Sequence, residues 1–202
     1  MAQSQVEIKS TVLLANDLEK RVADAFSVFD HAATEAIDSR EVGTILRGLG
    51  CCPTEREIQE VTVKVEDNHN VGTVELLKFI TVVCQELAEH KYEPATPEQL
   101  LEAFQILDTE GRGYLTKEQL ISYMTTDGEP FNQDELDEML ELAIDPHTQT
   151  IPYEYYINQI MFEPEDEEDI YILADRIESE RPPPPAAAKK ISELFANVLP
   201  PE

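Results

Sequence analysis

Apolar residues recur along this chain at helical intervals and break off at short polar stretches. Leu18, Val22, Ala25, Phe26 and Phe29 lie three and four residues apart, as do Val42, Ile45, Leu46 and Leu49 beyond the polar segment that follows Asp30. Such spacing places one apolar stripe on each helix and predicts a helix–loop–helix unit with a shared core. Residues able to accept orphan amide protons stand where further helices must start: Thr54 with Glu57, Thr96 with Pro97 and Gln99, and Asn132 with Glu135.

The unit repeats. Phe26-Ser27-Val28-Phe29-Asp30 is echoed by Phe104-Gln105-Ile106-Leu107-Asp108, and Ile37 and Leu115 follow their aspartates at the same offset. Weaker copies begin at Asp67, with Val74 beyond it, and at Asp145, with Ile151. The interval from Asp30 to Asp67 equals that from Asp108 to Asp145, so the chain holds two copies of a paired unit. The expected fold is all-α: two calmodulin-like lobes, each a pair of EF-hands, plus a helical C-terminal extension. An N-terminal extension covers residues 1–16, the first pair 17–91, a linker 92–96, the second pair 97–162 and the C-terminal extension 163–202. Pro94 and Pro97 withhold amide donors and disfavour a continuous helix across the linker.

An EF-hand holds calcium in a twelve-residue loop with oxygen ligands at positions 1, 3, 5, 7, 9 and 12, a glycine at 6 and a bidentate glutamate at 12. The first loop keeps Asp30, Thr34, Asp38 and Glu41 but has Ala32 at position 3 and Glu35 in place of the glycine. Asp30, Asp38 and Glu41 could still form a poor site, so weak calcium in this loop is the one cofactor expectation. In the second loop Val71 stands at position 5 and Lys78 at the bidentate position, despite Gly72 and Glu75. The third keeps Asp108, Glu110 and Gly113 but carries Arg112 at position 5 and Gln119 at 12. The fourth is one residue short, contains Pro146 and Pro152, and aligns Tyr155 with the bidentate glutamate. Metal is not required to pair the loops, because a short two-stranded bridge joins them at position 8, where Ile37 is expected to face Val74 and Leu115 to face Ile151.

Beyond the second pair, the acidic run Glu163 to Asp169 reads as a solvated stretch. Ile170, Leu173, Ala174 and Ile177 follow at helical spacing, Pro182 to Pro185 form a stiff spacer, and Ile191, Leu194, Phe195, Val198 and Leu199 make a second amphipathic helix. That last helix is expected to dock on a neighbouring subunit or to fold back onto a lobe. A disordered tail is the plain alternative.

Charge narrows the partners. With 42 acidic against 15 basic residues the formal charge is −27, which disfavours nucleic acid and anionic membranes, both of which need clustered Lys and Arg. No long apolar run and no secretion signal stand in the sequence, so an intracellular protein is expected. Cys51, Cys52 and Cys84 fit no zinc or redox spacing and read as reduced thiols. His31, His69, His90 and His147 are scattered and no nucleophile or phosphate motif accompanies them, so no enzyme is expected.

The stretches Phe26-Ser27-Val28-Phe29-Asp30-His31, Arg-Glu-Val-Gly-Thr-Ile-Leu-Arg-Gly-Leu-Gly-Cys-Cys-Pro-Thr-Glu over residues 40–55, Leu115-Thr116-Lys117-Glu118-Gln119-Leu120 and Gly128-Glu129-Pro130-Phe131 resemble the subunit 8 family of the nexin–dynein regulatory complex, EF-hand proteins of cilia and flagella. The similarity runs from about Val22 to about Tyr156 and leaves out the tail. It implies a structural subunit of the link between doublet microtubules, placed in the axoneme, with helical or coiled-coil subunits of that complex as partners and without direct microtubule contact. The residues by themselves supply a lobe that grips an amphipathic basic helix. Groove candidates are Phe79, Ile80 and Val83 in the first lobe and Met124, Met139, Tyr156, Ile160 and Met161 in the second; for each, plain core packing is the competing reading. The first lobe has no methionine between its helix pairs, which favours one dedicated partner over many. The alternatives are a calcium-sensing regulator of calmodulin or centrin type and a light-chain-like clamp on another motor or scaffold.

Overall fold

The computed structural model describes residues 14–67, 71–161 and 168–181. The helix of Ile191, Leu194, Phe195, Val198 and Leu199 therefore lies outside the described residues. Helix α1 (Asp17–Ser27) is followed by strand β1 (Ala36–Asp38), one turn of tighter helix at Ser39–Glu41, α2 (Val42–Gly48), α3 (Glu55–Val65), β2 (Thr73–Glu75) and α4 (Leu76–Ala88). The plan recurs as α5 (Pro97–Leu107), β3 (Leu115–Thr116), α6 (Lys117–Thr126), α7 (Gln133–Ala143), β4 (Thr150–Ile151) and α8 (Tyr153–Ile160), and α9 (Ile170–Glu180) ends the described chain. Among the described residues no helix is long and apolar enough to cross a membrane.

Local chemistry fixes the helix starts. Thr54, Thr96 and Asn132 each accept the amide of the residue three positions on, while Glu57, Gln99 and Glu135 reach back to the cap amide, closing a capping box at α3, α5 and α7. Thr116 and Gln119 close a fourth box of the same kind at α6.

The loops pair in antiparallel register, Ile37 opposite Val74 and Leu115 opposite Ile151, all buried. Two residues before each of these stands a left-handed residue: Glu35 at φ 57°, Gly72 at 89°, Gly113 at 82° and Gln149 at 57°. The turn that an EF-hand makes at its glycine is thus kept even where Glu35 and Gln149 must bear a Cβ in that region. The shortened fourth loop reaches the same bridge because its missing residue lies before the turn.

Two apolar cores share no residue. The first gathers Leu18, Val22, Phe26, Ile45, Leu46, Val61, Phe79 and Val83, with Phe26 and Phe79 ring centroids 5.3 Å apart. The second gathers Phe104, Leu115, Leu120, Leu136, Leu140 and Ile157, with Phe104 stacked at 5.6 Å on Tyr153. Linker residue Tyr92 belongs to the first core, and its hydroxyl donates to the Glu86 carboxylate at 2.5 Å. Glu86, only 4% exposed, also receives Lys64 Nζ at 2.5 Å, so this buried charge is paired. The first core therefore reaches as far along the chain as Tyr92 before the second half begins.

Candidate partner-binding surfaces and degenerate calcium loops

The loop side chains have found partners within the chain. In the first loop the Asp30 carboxylate accepts the amides of Thr34 at 3.0 Å and Glu35 at 2.7 Å. Asp38 is held by Arg40, whose Nη2 lies 2.6 Å and Nε 2.9 Å from its oxygens. The hydrogen bonds from Arg40 lower its pKa to about 2. The oxygen at position 9 is thereby committed to a guanidinium, and Ala32 offers none at position 3.

In the second loop Lys78 Nζ donates to the Glu66 carbonyl at 2.5 Å, and the Gly72 amide donates to the Glu66 carboxylate at 2.5 Å. An ammonium thus projects from the position where calcium requires a bidentate carboxylate. In the third loop Arg112 pairs with Glu110 and lies 5.9 Å over the Tyr114 ring. Asp108 is buried and accepts the Gly113 amide at 2.8 Å and the Tyr153 hydroxyl at 3.2 Å. Burial pulls its pKa up, but the backbone amides and that hydroxyl outweigh it and leave the carboxyl below its usual range. Asp145 in the fourth loop accepts the His147 amide at 2.7 Å.

In loops two to four Lys78, Gln119 and Tyr155 stand where calcium takes a bidentate carboxylate. Asp30, Asp38 and Glu41 are not gathered into a site either: among the described residues no group of three or more His, Cys, Asp or Glu side chains is placed to hold a metal. Arg40, Lys78 and Arg112 supply the positive charge instead.

The predicted groove residues divide sharply. Phe79, Ile80 and Val83 are 0%, 4% and 1% exposed, sealed in a core that also contains Ile170, Tyr171, Leu173 and Ala174 of α9. Helix α9 lies against α1 and α4. Asp169 caps it by accepting the Tyr171 and Ile172 amides at 2.7 and 3.2 Å. Tyr171 donates to the Lys91 carbonyl at 2.7 Å and stacks on His90 at 5.7 Å between centroids, while His90 Nε2 lies 2.9 Å from Asp175. Arg21 donates to the Glu168 carbonyl, and Arg176 reaches Glu168 at 3.1 Å and Asp17 at 3.7 Å.

In the second half Tyr156 is buried, Met124, Met139 and Met161 are partly buried against the core, and Ile160 is 41% exposed. Leu100, Leu101 and Ile121, which sequence reasoning did not single out, share that rim. Their helical spacing was visible, but it could not distinguish a rim residue from a core one. Among the described residues this core draws on residues between Leu100 and Met161, and α9 adds none to it.

The thiols behave as buried groups. Burial pushes Cys84 up to about 12 and raises Cys51 as well, the Tyr171 hydrogen bond opposing the rise at Cys51. Neither is a thiolate nucleophile at neutral pH.

No protein-family model matches the chain. Among solved structures it is similar to the Physarum polycephalum myosin II regulatory domain, with a TM-score of 0.54 and 24% identity over 72% of this chain and 94% of that one, a likeness of fold. It is also similar to Mlc1p bound to IQ2 of Myo2p, a class V myosin, with a TM-score of 0.56 and 25% identity over 69% of this chain and 96% of that one. A putative calmodulin-like protein 6 of Oryza sativa subsp. japonica is 30% identical over 138 residues, 68% of this chain and 80% of its own. The Homo sapiens dynein regulatory complex protein 8 is 43% identical over 113 residues, 56% of this chain but only 42% of the human protein. The Mus musculus dynein regulatory complex protein 8 is 45% identical over 155 residues, 77% of this chain and 94% of the mouse protein. Matched at that identity over nearly the whole mouse protein, on a mostly helical calmodulin-like fold, the chain belongs to the dynein regulatory complex protein 8 family.

Proposed function

We propose that the chain is a non-catalytic subunit of the dynein regulatory complex in the axoneme of cilia and flagella, where it grips helical or coiled-coil segments of partner subunits. Through that grip it contributes to the link between doublets and to the control of dynein-driven motility. The observation that carries this reading is the partly buried apolar rim of the second half, Met124, Met139 and Met161 with the exposed Ile160, on a chain of this family. Apolar side chains at i, i+3, i+4 and i+7 of a partner helix would remove that rim from water, at about 25 cal/mol per Å² buried. Charge selects the partner further: across residues 97–161 the Lys and Arg residues are Arg112 and Lys117 alone, among many carboxylates. A basic amphipathic helix is therefore the matching ligand. The pairing of the similar Mlc1p with IQ2 of Myo2p supports the same mode of binding.

The test is crosslinking and capture of the full chain in cells with motile cilia, beside a Met139→Glu, Met161→Glu variant. Subunits of the regulatory complex should be captured by the parent chain and lost by the variant. Capture of the same proteins from cells without motile cilia, or of myosin heavy chains alone, would overturn the assignment.

A further inference from the structure

We propose that α9 is an internal ligand: it fills the helix-docking surface of the first half and must leave before a partner helix can sit there. The proposal rests on the helix-gripping reading of the fold. Its anchors Ile170, Leu173, Ala174 and Ile177 have the i, i+3, i+4, i+7 spacing with which a bound helix addresses an apolar groove. Ile170, Leu173 and Ala174 are buried among Phe79, Ile80 and Val83, and Ile177 is partly buried against the same core.

The apolar fit is good at the start of α9 and poor at its end. Beside Ile177 the described residues leave a cleft of about 710 Å³ between α9, Leu18, Leu77, Ile80 and Cys84. The charge fit is mixed: Asp175 meets His90, and Arg176 reaches Asp17 and Glu168. At the end of α9 the fit worsens: Glu178, with Arg181 as its cationic partner, shares the cleft with Glu19 of α1 and Glu89 at the end of α4. A basic helix with the same apolar spacing would keep the anchors and replace like charges by opposite ones. At its cleft end the surface therefore suits a basic helix better than the acidic end of α9. Tethering compensates, because a helix on the same chain is present at high effective concentration. The chain accordingly presents one ready helix site, in the second half, and one conditional site, in the first.

The test uses the full chain and, as probe, a synthetic 20-residue Leu/Lys/Arg amphipathic helix with apolar residues at i, i+3, i+4 and i+7. Calorimetry should give one peptide per parent chain at low micromolar concentration. An Ile170→Asp, Leu173→Asp variant should bind two, the second with at least tenfold higher affinity than the same site in the parent. Since the variant can fail through misfolding, hydrogen exchange on the parent supplies an independent readout. At saturating peptide the amides of residues 170–180 should lose protection while those of α1 and α4 gain it. Two peptides bound to the parent with α9 still protected, or one peptide bound by both folded proteins, overturns the internal-ligand assignment alone. Binding to neither half of either protein would sink the helix-gripping reading and this proposal together.

Discussion

Phe26 and Phe104 occupy equivalent places in the two repeats, yet their surroundings differ. Phe26 is 1% exposed and packs on Phe79 in a core that α9 completes from outside the repeat. Phe104 stacks on Tyr153 and meets Tyr156 edge-on in a core whose margin is methionine and leucine in part open to water. The same helix–loop–helix plan has thus yielded one half whose apolar face α9 covers and one whose apolar margin, among the described residues, stays partly exposed. Repetition of sequence does not guarantee repetition of role, because whether a surface is filled depends on what else the chain can bring to it.

The largest expected effect sharpens that contrast. Phe26→Ala should cost about 3–5 kcal/mol of stability, as for other deep aromatic truncations, and should release α9 as well. Phe104→Ala should fall at the lower end of that range and leave α9 untouched. Denaturant unfolding followed by hydrogen exchange in each half separates the two, and protection of residues 170–180 surviving Phe26→Ala would break the comparison. Next comes Leu173→Ala, which removes about 2 kcal/mol or more of docking and should lower the protection of α9 without altering exchange in residues 97–161. A drop in both halves would show that they are not independently packed.

A smaller gain is expected from Glu35→Gly. Its φ of 57° places a side chain where glycine is at ease, so the substitution should stabilise the first half by on the order of 1 kcal/mol, read as a shift in the denaturant midpoint. Smaller again is the pH response of α9. The hydrogen bond that His90 donates to Asp175 raises the His90 pKa, burial opposes the rise, and Glu93 adds to it. The clamp is therefore fully present below the ordinary histidine value and is lost as pH climbs through the raised one, so α9 exchange should quicken modestly between pH 6 and pH 8 while the second half stays unchanged. His90→Gln should remove that dependence. Calcium should do least: micromolar metal should change exchange in neither half, since Arg40, Lys78 and Arg112 already occupy the charge positions. A calcium-driven opening of either half would reverse the ranking.

Much of this molecule was legible before any coordinates. Thr54 with Glu57, Thr96 with Gln99 and Asn132 with Glu135 mark helix starts because a cap and its reply are only three residues apart. The pairing of Ile37 with Val74 and of Leu115 with Ile151 followed from matched offsets within a repeat. The engagement of Asp38 by Arg40 was not foreseen, although the two residues are near neighbours, because rotamers and not spacing decide such a pair. Tyr92 looked like linker and proved to be core, since its burial depends on Glu86 and on the backbone of Cys52, whose amide donates to the Tyr92 carbonyl at 2.7 Å.

By itself, then, the sequence determined the helices, their caps, the paired loops and the loss of calcium ligands, all of which are set by residues within a turn or a repeat of one another. Only the tertiary structure decided that α9 returns to the first half, because that choice rests on Tyr171 meeting Lys91, Asp175 meeting His90 and Arg21 meeting Glu168. Those partners are distant in the chain. Periodicity tells a helix which face to bury, but the cavity that receives the face exists only after the rest of the chain has folded.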